Sequence, residues 1–479
     1  MTAPGSLPLM SAVAAAADSP RYNFHALPWG GQVPIRSPEL RAAYDRLIAS
    51  EHTSIDLSYG RDLLDSPFWP TGPLAAAQSR AATAFSCDAT FFVSMGTTVA
   101  NAVAIAAAAE FGPRTLLDAT AHQSLHFSCD LLGMSTTRIP VMPERPDVAD
   151  LDAARALLAA ARQREVPFHT LVLGSSTYGG LRLRAERIML AVNEISPTTN
   201  IVFDDAWAGI HGFHDETSTM SPTWVAARLR GQGRFSGSIW VTHSAHKTMC
   251  AARQAAYVHV LGARRAVAAT ESSMYRHHTS SPAWPIMASL DLARAHAEQE
   301  GGECLDRALA LHRELRARLI AGGFPASGRE LPPRASAWYA PDELRFTLHL
   351  GDNAAAVRRR LIAEWGVYLP HSVGSELLAN ITIGIGADAI DALATGLLAT
   401  MKDRPPAPRK DETRARRIMA EQTPQDYLIA YPPGVPIAYP ETGARPVDGR
   451  RVEAELAGGA SIHRVRRRVP AVDEHARGR

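Results

Sequence analysis

Apolar runs, each closed by Gly, Ser, Asp or Asn, alternate along this chain with stretches whose apolar positions recur at helical spacing. The strand-like runs are RTLLDAT, FHTLVLGSS, TNIVFDDAW, GSIWVTHSAH and AAYVHVLG. Between them lie the helix-like stretches TTVANAVAIAAAAEFG, DVADLDAARALLAAARQREV and RAERIMLAVNEI. Near-continuous apolar strands need cover on both faces, and amphipathic helices supply it, so the pattern predicts an α/β domain with a mostly parallel sheet. From about residue 282 the pattern turns helical, in PIMASLDLARAHAEQEGGECLDRALALHRELRARLIAGG, one element long enough to bridge two domains. Beyond it, ELRFTLHL, AAAVRRRLIAEWG and NITIGIG predict a smaller α+β unit. The Pro-rich, charged MKDRPPAPRKDETRARR reads as an exposed connection, and IHRVRRRVPAVDEHARGR as a solvated charged tail. The resulting division is a leader at 1–35, a large domain at 36–300, a small α+β domain at 301–405 and a C-terminal extension at 406–479.

Composition narrows the partners. The 479 residues are 46% hydrophobic and 20% charged, with a formal net charge of +2. No global field is present to recruit nucleic acid or an anionic membrane, so a small molecule is the expected partner. Cys87, Cys129, Cys250 and Cys304 lie far apart, without CxxC pairs, which fits free thiols in a reducing compartment such as the cytoplasm. The N-terminal MTAPGSLPLMSAVAAAADSP has an apolar run but no basic residue before it, and reads as a flexible leader rather than a secretory signal. The longest apolar stretch, VANAVAIAAAA, is Ala-dominated and stops at Glu110, short of a membrane span.

In such a sheet, ligands sit at the carboxyl ends of the strands. Four polar groups fall there. In SMGTT, Gly96 allows close backbone approach, Thr97 and Thr98 offer hydroxyls, and the following helix offers free N–H groups to a phosphate. Taken alone, the same residues read as a glycine turn with a threonine cap. In FDDAW, Asp204 is the choice for a carboxylate aimed at a ring nitrogen, although either aspartate singly reads as a cap or an Arg partner. In AHQS, His122 is either a hydrogen-bonded core histidine or a flat imidazole that stacks on a ring. His243 and His246 in THSAHK lack a further ligand at metal spacing, so no metal is assigned. Lys247 in the same stretch would be a snorkelling surface lysine in other company. Among a phosphate cradle, a ring-nitrogen carboxylate and a stacking imidazole, its amine can condense with an aldehyde and release it to an incoming amino group. The cofactor that fits is pyridoxal 5′-phosphate.

At these residues the chain resembles the bacterial ornithine/lysine/arginine decarboxylases, which are fold-type-I pyridoxal-phosphate enzymes with an aspartate-aminotransferase-like core. The likeness runs from about Asp56 to Pro440 and is carried by six stretches in order: SMGTTVAN, LDATAHQSLH, VFDDAWAGIHGFH, HSAHKTMCAARQAAYVHV, TSSPAWPIMASLD and AYPPGVPIAYP. It implies a large domain with a mostly parallel seven-stranded sheet and a smaller α+β C-terminal domain. It also implies Lys247 as the cofactor-linking lysine, Asp204 at the pyridinium nitrogen and His122 on the ring. Gly96, Thr97, Thr98, Ser244 and His246 would surround the phosphate or the Schiff base, with Ala206 and Trp207 beside Asp204. Ser280 and Ser281 would approach the cofactor of a neighbouring subunit, so a homodimer with shared active sites is implied.

The implied reaction is decarboxylation of a basic amino acid, ornithine, lysine or arginine, or a related one, with Lys247 or His246 returning a proton. Several departures bear on the substrate. Trp29 stands where a histidine is usual, Ala119 replaces an arginine, and Arg253 and Ala256 replace serines. The closing Met-Pro-Gly-Glu of the family appears as YPET, which shifts the acidic residue to Glu441 or loses it. The N-terminal wing domain of the inducible enzymes is expected to be missing. Other pyridoxal-phosphate reactions (oxidative or hydroxylating, aldol-type or transamination) and a catalytically silent homologue remain alternatives.

Overall fold

A computed structural model describes residues 22–24, 33–49, 65–324, 331–370, 376–402, 412–431, 434–440, 449–457 and 460–467. Its centre is a sheet of seven strands: β1 (Ala89–Val93), β2 (Arg114–Asp118), β3 (Ser135–Ile139), β4 (Thr170–Gly174), β5 (Asn200–Asp204), β6 (Ile239–His243) and β7 (Ala256–Leu261). The spatial order is β1-β7-β6-β5-β4-β2-β3. All neighbours are parallel except those of β7, which runs antiparallel to both β1 and β6. Two antiparallel steps restore direction, so β1 ends at the same edge as β2, β5 and β6.

The period of two along each strand explains the burial on both faces. Leu116, Leu171, Leu173, Ile201, Phe203 and Val241 enter one apolar cluster. Their neighbours Leu117, Val172, Val202 and Trp240 enter another on the opposite face. The strand-like runs of the sequence thus all lie in this sheet. The Ala-rich helix α1 (Gly96–Ala109) covers one face; small side chains let it approach closely, and nine of its residues are buried.

The long helical stretch is a single 38-residue helix, α3 (Trp284–Ala321), which runs unbroken through residue 300. A third apolar cluster joins it to the smaller unit through Leu305, Leu309, Leu344, Val357 and Leu393. That unit pairs Arg345–His349 with Glu376–Asn380 antiparallel and packs Ala354–Trp365 and Ala387–Lys402 against the pair. Of NITIGIG only Asn380 belongs to a strand, because Ile381 donates its N–H to Leu344 instead of continuing the ladder (2.7 Å), and residues 381–386 turn towards the cleft.

The ends of the chain bear on three readings. The stretch read as a flexible leader, residues 1–20, lies outside the described residues, and Tyr22–Asn23 beyond it pairs parallel with Val367–Tyr368. Residues 412–417 of the expected connection belong to the helix Glu412–Glu421. Of the expected solvated tail, Ser461–Arg466 is the edge of a three-stranded sheet with Asp426–Tyr431 and Val435–Ala438. Its side chains are mostly exposed, which is why their composition resembles a tail; backbone pairing to one side is invisible in composition.

Beneath the strand ends lies a buried charge network. Asp205 approaches Arg182 at 3.5 Å and His243 at 3.3 Å. His243 contacts His259 at 3.0 Å, and His259 contacts Thr90 at 2.8 Å. His211 meets Asp342 of the smaller unit at 3.3 Å. Burial pushes the Asp205 carboxyl up, but Arg182, His243 and His211 more than offset it, so its pKa lies below the usual carboxylate value. A depressed pKa contributes stability above the unfolded value that disappears as pH falls through the folded one. Asp205→Ala leaves Arg182 buried without its partner and is expected to cost about 3–5 kcal/mol. Urea unfolding at pH 7 and at acid pH checks this: the loss should be largest at pH 7 and shrink on acidification.

Candidate active site

The strand ends bring the chemistry together. Gly96 takes the left-handed φ of +75° at the start of α1, and its N–H donates to Gln254 of the loop before β7 (2.8 Å). That turn sets the first turn of α1 beside the end of β6. Thr97 and Ser244 are both buried, with their hydroxyls 2.5 Å apart. Two hydroxyls converging at the N-terminus of a 14-residue helix suit a phosphate, whose charge the helix end favours. Thr98 is exposed on the same turn.

Lys247 lies on the short helix Ala245–Thr248 that follows β6. Its Nζ sits 4.2 Å from the centre of the Trp207 ring, and Arg345 lies 4.8 Å from the same ring. Lys247 borders a cavity, so part of its surface is open, yet protein surrounds the amine. Burial lowers its pKa to about 8; Asp204 opposes that shift, while Arg345 and Arg253 reinforce it. An amine with such a pKa is neutral in roughly a tenth of molecules at pH 7, where an ordinary lysine is almost wholly protonated.

Asp204 ends β5. One carboxylate oxygen accepts the Ala206 N–H at 3.2 Å and the other accepts Asn101 Nδ2 at 2.9 Å. Asn101 donates also to Ser124 Oγ (2.9 Å) and accepts from Thr242 (2.6 Å). It is a functional residue that the sequence reading passed over, although its signal was present: it is the lone polar side chain in VANAVAIAAAA. Arg345 was missed too, and ELRFTLHL offers no sign of it, since Arg345 is buried as fully as Phe346 beside it. Its guanidinium donates to the carbonyls of Thr177 (2.6 Å) and Tyr178 (2.7 Å) and to Asn380 (3.2 Å).

His122 caps helix α2 (Gln123–Leu131): its Nδ1 accepts the Ser124 N–H at 3.2 Å. Since an amide can only donate, the ring proton resides on Nε2, and Ser124 Oγ, 2.8 Å away, donates to the same Nδ1. Burial lowers the His122 pKa; Asp204 opposes this and Lys247 adds to it, so His122, Asp204 and Lys247 share one field. His246 is different. Its Nδ1 donates to the Ala255 carbonyl at 2.9 Å, and burial lowers its pKa to about 4. It is neutral, with Nε2 an acceptor, and does not serve as a resting proton donor. Ala206 is buried beside Asp204.

Ser280 and Ser281 are exposed, outside this chain's own cleft, next to Met95 of the phosphate turn through Thr279 (3.2 Å). Glu441 and Trp29 lie outside the described residues. Among the described residues no cluster of three or more His, Cys, Asp or Glu is placed to hold a metal, and no helix is long and apolar enough to cross a membrane.

A small cavity lies beside Lys247. Trp207, Ile210, Leu344, Ile381 and Ile383 form its apolar wall, and Thr248, Thr382, Asn380 and Arg345 its polar points. A low-pKa amine, a carboxylate fixed by Asn101, a flat neutral imidazole and paired hydroxyls at a helix start fit pyridoxal 5′-phosphate.

Fold and site together define the fold-type-I pyridoxal-phosphate class. Similarity places the chain more narrowly. The family described as Orn/Lys/Arg decarboxylase, major domain, matches residues 7–322, and the chain belongs to it. It is 30% identical over 318 residues to lysine decarboxylase LdcA of Pseudomonas aeruginosa, an alignment covering 61% of this chain and 41% of that protein. The chain therefore spans well under half the length of that relative. The lysine decarboxylase LdcF of Francisella novicida superposes with a TM-score of 0.66 at 17% identity, over 90% of this chain and 76% of that one. A serine palmitoyltransferase variant from S. paucimobilis, solved with a bound PLP–myriocin aldimine, superposes with a TM-score of 0.59 at 16% identity over 80% of this chain and 87% of that one.

Asn101→Ala removes a hydrogen bond to a carboxylate, worth about 1.5–3 kcal/mol. Pyridoxal-phosphate affinity, titrated by absorbance, should therefore fall roughly 10- to 100-fold. An unchanged affinity would remove Asn101 from the site.

Proposed function

We propose that this chain is a pyridoxal-phosphate-dependent amino-acid decarboxylase acting on ornithine, lysine, arginine or a related amino acid. The observation that carries the reading is the Lys247 amine, held at a pKa of about 8 within the field of Asp204 and His122. When bound, pyridoxal phosphate supplies an aldehyde that joins an amine and a ring that accepts the electron pair left as carbon dioxide departs.

The chain's residues do the rest. Thr97, Ser244 and the first turn of α1 bind the phosphate, while Thr98 borders it from the exposed side. Asp204, fixed by Asn101, keeps a proton on the ring nitrogen. His122, neutral and anchored through Nδ1, offers a flat face for stacking. Lys247 binds the aldehyde and, once displaced, holds a proton at Nζ that it returns to the substrate carbon; Trp207 keeps that amine in place. His246 supports the loop through Ala255 and accepts at Nε2. The apolar wall excludes water from the departing carboxylate, which favours its loss as a neutral gas.

Arg345 places a cation at the cavity, and the described lining holds no carboxylate. For a basic substrate the partner of the distal amine is therefore sought outside this lining, with Glu441 the proposed residue. The same feature supports a second reading, a related amino acid without a distal cation or a different pyridoxal-phosphate reaction. The exposed Ser280 and Ser281 support a homodimer in which they face the partner's cofactor. A cytoplasmic location and a diamine product feeding polyamine synthesis complete the proposal.

Two measurements test it. Incubating the cofactor-loaded protein with a panel of amino acids should yield, by mass spectrometry, a product lighter by carbon dioxide; a keto acid or a hydroxylated product rejects decarboxylation. Borohydride reduction followed by peptide mapping should label Lys247, and Lys247→Ala should abolish both label and turnover. Because capture of the aldehyde needs the neutral amine, its rate in cofactor-free protein should rise about tenfold per pH unit below 8 and level off above it. Stopped-flow absorbance between pH 6 and 9 reads this, and a flat profile rejects the role of the lowered pKa.

A further inference from the structure

Among the described residues, the C-terminal unit meets the start of α2 at Gly434. This residue precedes the strand Val435–Ala438 with a left-handed φ of +86°. Its carbonyl accepts the N–H of Gln123, the residue after His122 (2.8 Å), and its own N–H donates to Ala430 (2.8 Å). The Gly434 backbone is thus tied to the start of α2 on one side and to its own sheet on the other. A Cβ at this position would lie 3.0 Å from His122 Nε2 and 3.3 Å from Cδ2. Only glycine combines that φ with so close an approach to the imidazole edge.

The opposite edge of the ring is held independently by Ser124, which accepts from Asn101, the residue that holds Asp204. The rest of the unit grips the same helix and the segment leading into it. Tyr439 donates its hydroxyl to the Ala119 carbonyl, between β2 and α2, and Tyr427 donates to Asp130 near the other end of α2. Arg467 approaches Asp130 at 3.3 Å. Phe127 of α2 stacks edge-on against Tyr427, with ring centres 5.3 Å apart.

We propose that Gly434 is a positioning residue: the C-terminal unit clamps α2, and the Gly434 backbone sets the plane of the His122 ring. The consequence for the cofactor rests on the pyridoxal-phosphate reading above; the clamp itself does not.

The test compares Gly434→Ala with Gly133→Ala in the full chain. Gly133, just past the far end of α2, has φ +65° with nothing within 4 Å of a built Cβ, so its substitution imposes similar backbone strain without the contact. In cofactor-free protein, carbethoxylation of His122 is followed by peptide mass mapping; in loaded protein, cofactor affinity and visible circular dichroism are measured. Gly434→Ala should change His122 reactivity by about threefold or more and weaken cofactor binding about tenfold, the scale of a modest packing clash. Gly133→Ala should stay within about twofold of the parent, and Gly434→Ala should add less than about twofold in a His122→Ala background.

Parental His122 reactivity and affinity in Gly434→Ala, or an equal penalty with and without the His122 ring, overturns the proposal. Should Gly434→Ala not fold, Tyr439→Phe loosens the same clamp; unaltered His122 reactivity in that variant is equally fatal. A parent protein that fails to bind pyridoxal phosphate defeats the cofactor reading, while His122 reactivity still decides the clamp.

Discussion

An amine partly stripped of water, with two arginines and one aspartate setting its charge, is the constraint around which this molecule is organised. Burial alone would make the Lys247 ammonium costly, and Arg345 and Arg253 make it costlier. Asp204 opposes them, and Trp207 offers the face of its ring. The balance leaves an amine near neutrality that can react yet still take up a proton. Holding such groups at fixed separations requires rigid supports: the ends of the parallel strands β5 and β6 hold Asp204 and the Lys247 turn, and the smaller unit holds Arg345.

The supports have their own supports. Asp204 would be a loosely placed carboxylate without Asn101, which reaches it from α1 and is itself held by Thr242 and Ser124. Ser124 also orients His122. One hydrogen-bonded chain therefore links the Asp204 carboxylate to the His122 imidazole, passing through two helices. Beneath it, Asp205 pairs with Arg182 next to the Asp342–His211 contact, which joins the large domain to the smaller unit. Arg345, beside that junction, projects the smaller unit's cation onto Trp207. Geometry at the reactive amine thus depends on how the two units are packed, as well as on its own loop.

Most of the large domain was legible in the chain because local pattern and global burial agree there. GSIWVTHSAH and TNIVFDDAW are apolar on both faces, and only the centre of a covered sheet satisfies such runs. The Gly-Thr turn and the lysine stretch were legible for a similar reason: their residue types are chemically specific and sit next to strand ends. In NITIGIG, β-branched residues that line a cavity share the composition of a strand, and only long-range pairing separates the two. The terminal sheet was not foreseen because its edge strand is mostly exposed, and its two apolar residues, Ile462 and Val465, set no alternation.

Short-range pattern and side-chain chemistry were enough to read the sheet and the helices that cover it, and to single out Lys247, Asp204 and His122 as candidates. Tertiary structure alone decided that Asn101 holds Asp204 across 103 positions of chain, that Arg345 shares the ring of Trp207, and that Gly434 rests against His122. Such contacts join residues distant in the chain through space. A backbone folded by burial brings them within hydrogen-bond reach, and no periodicity along the chain records which of them will meet.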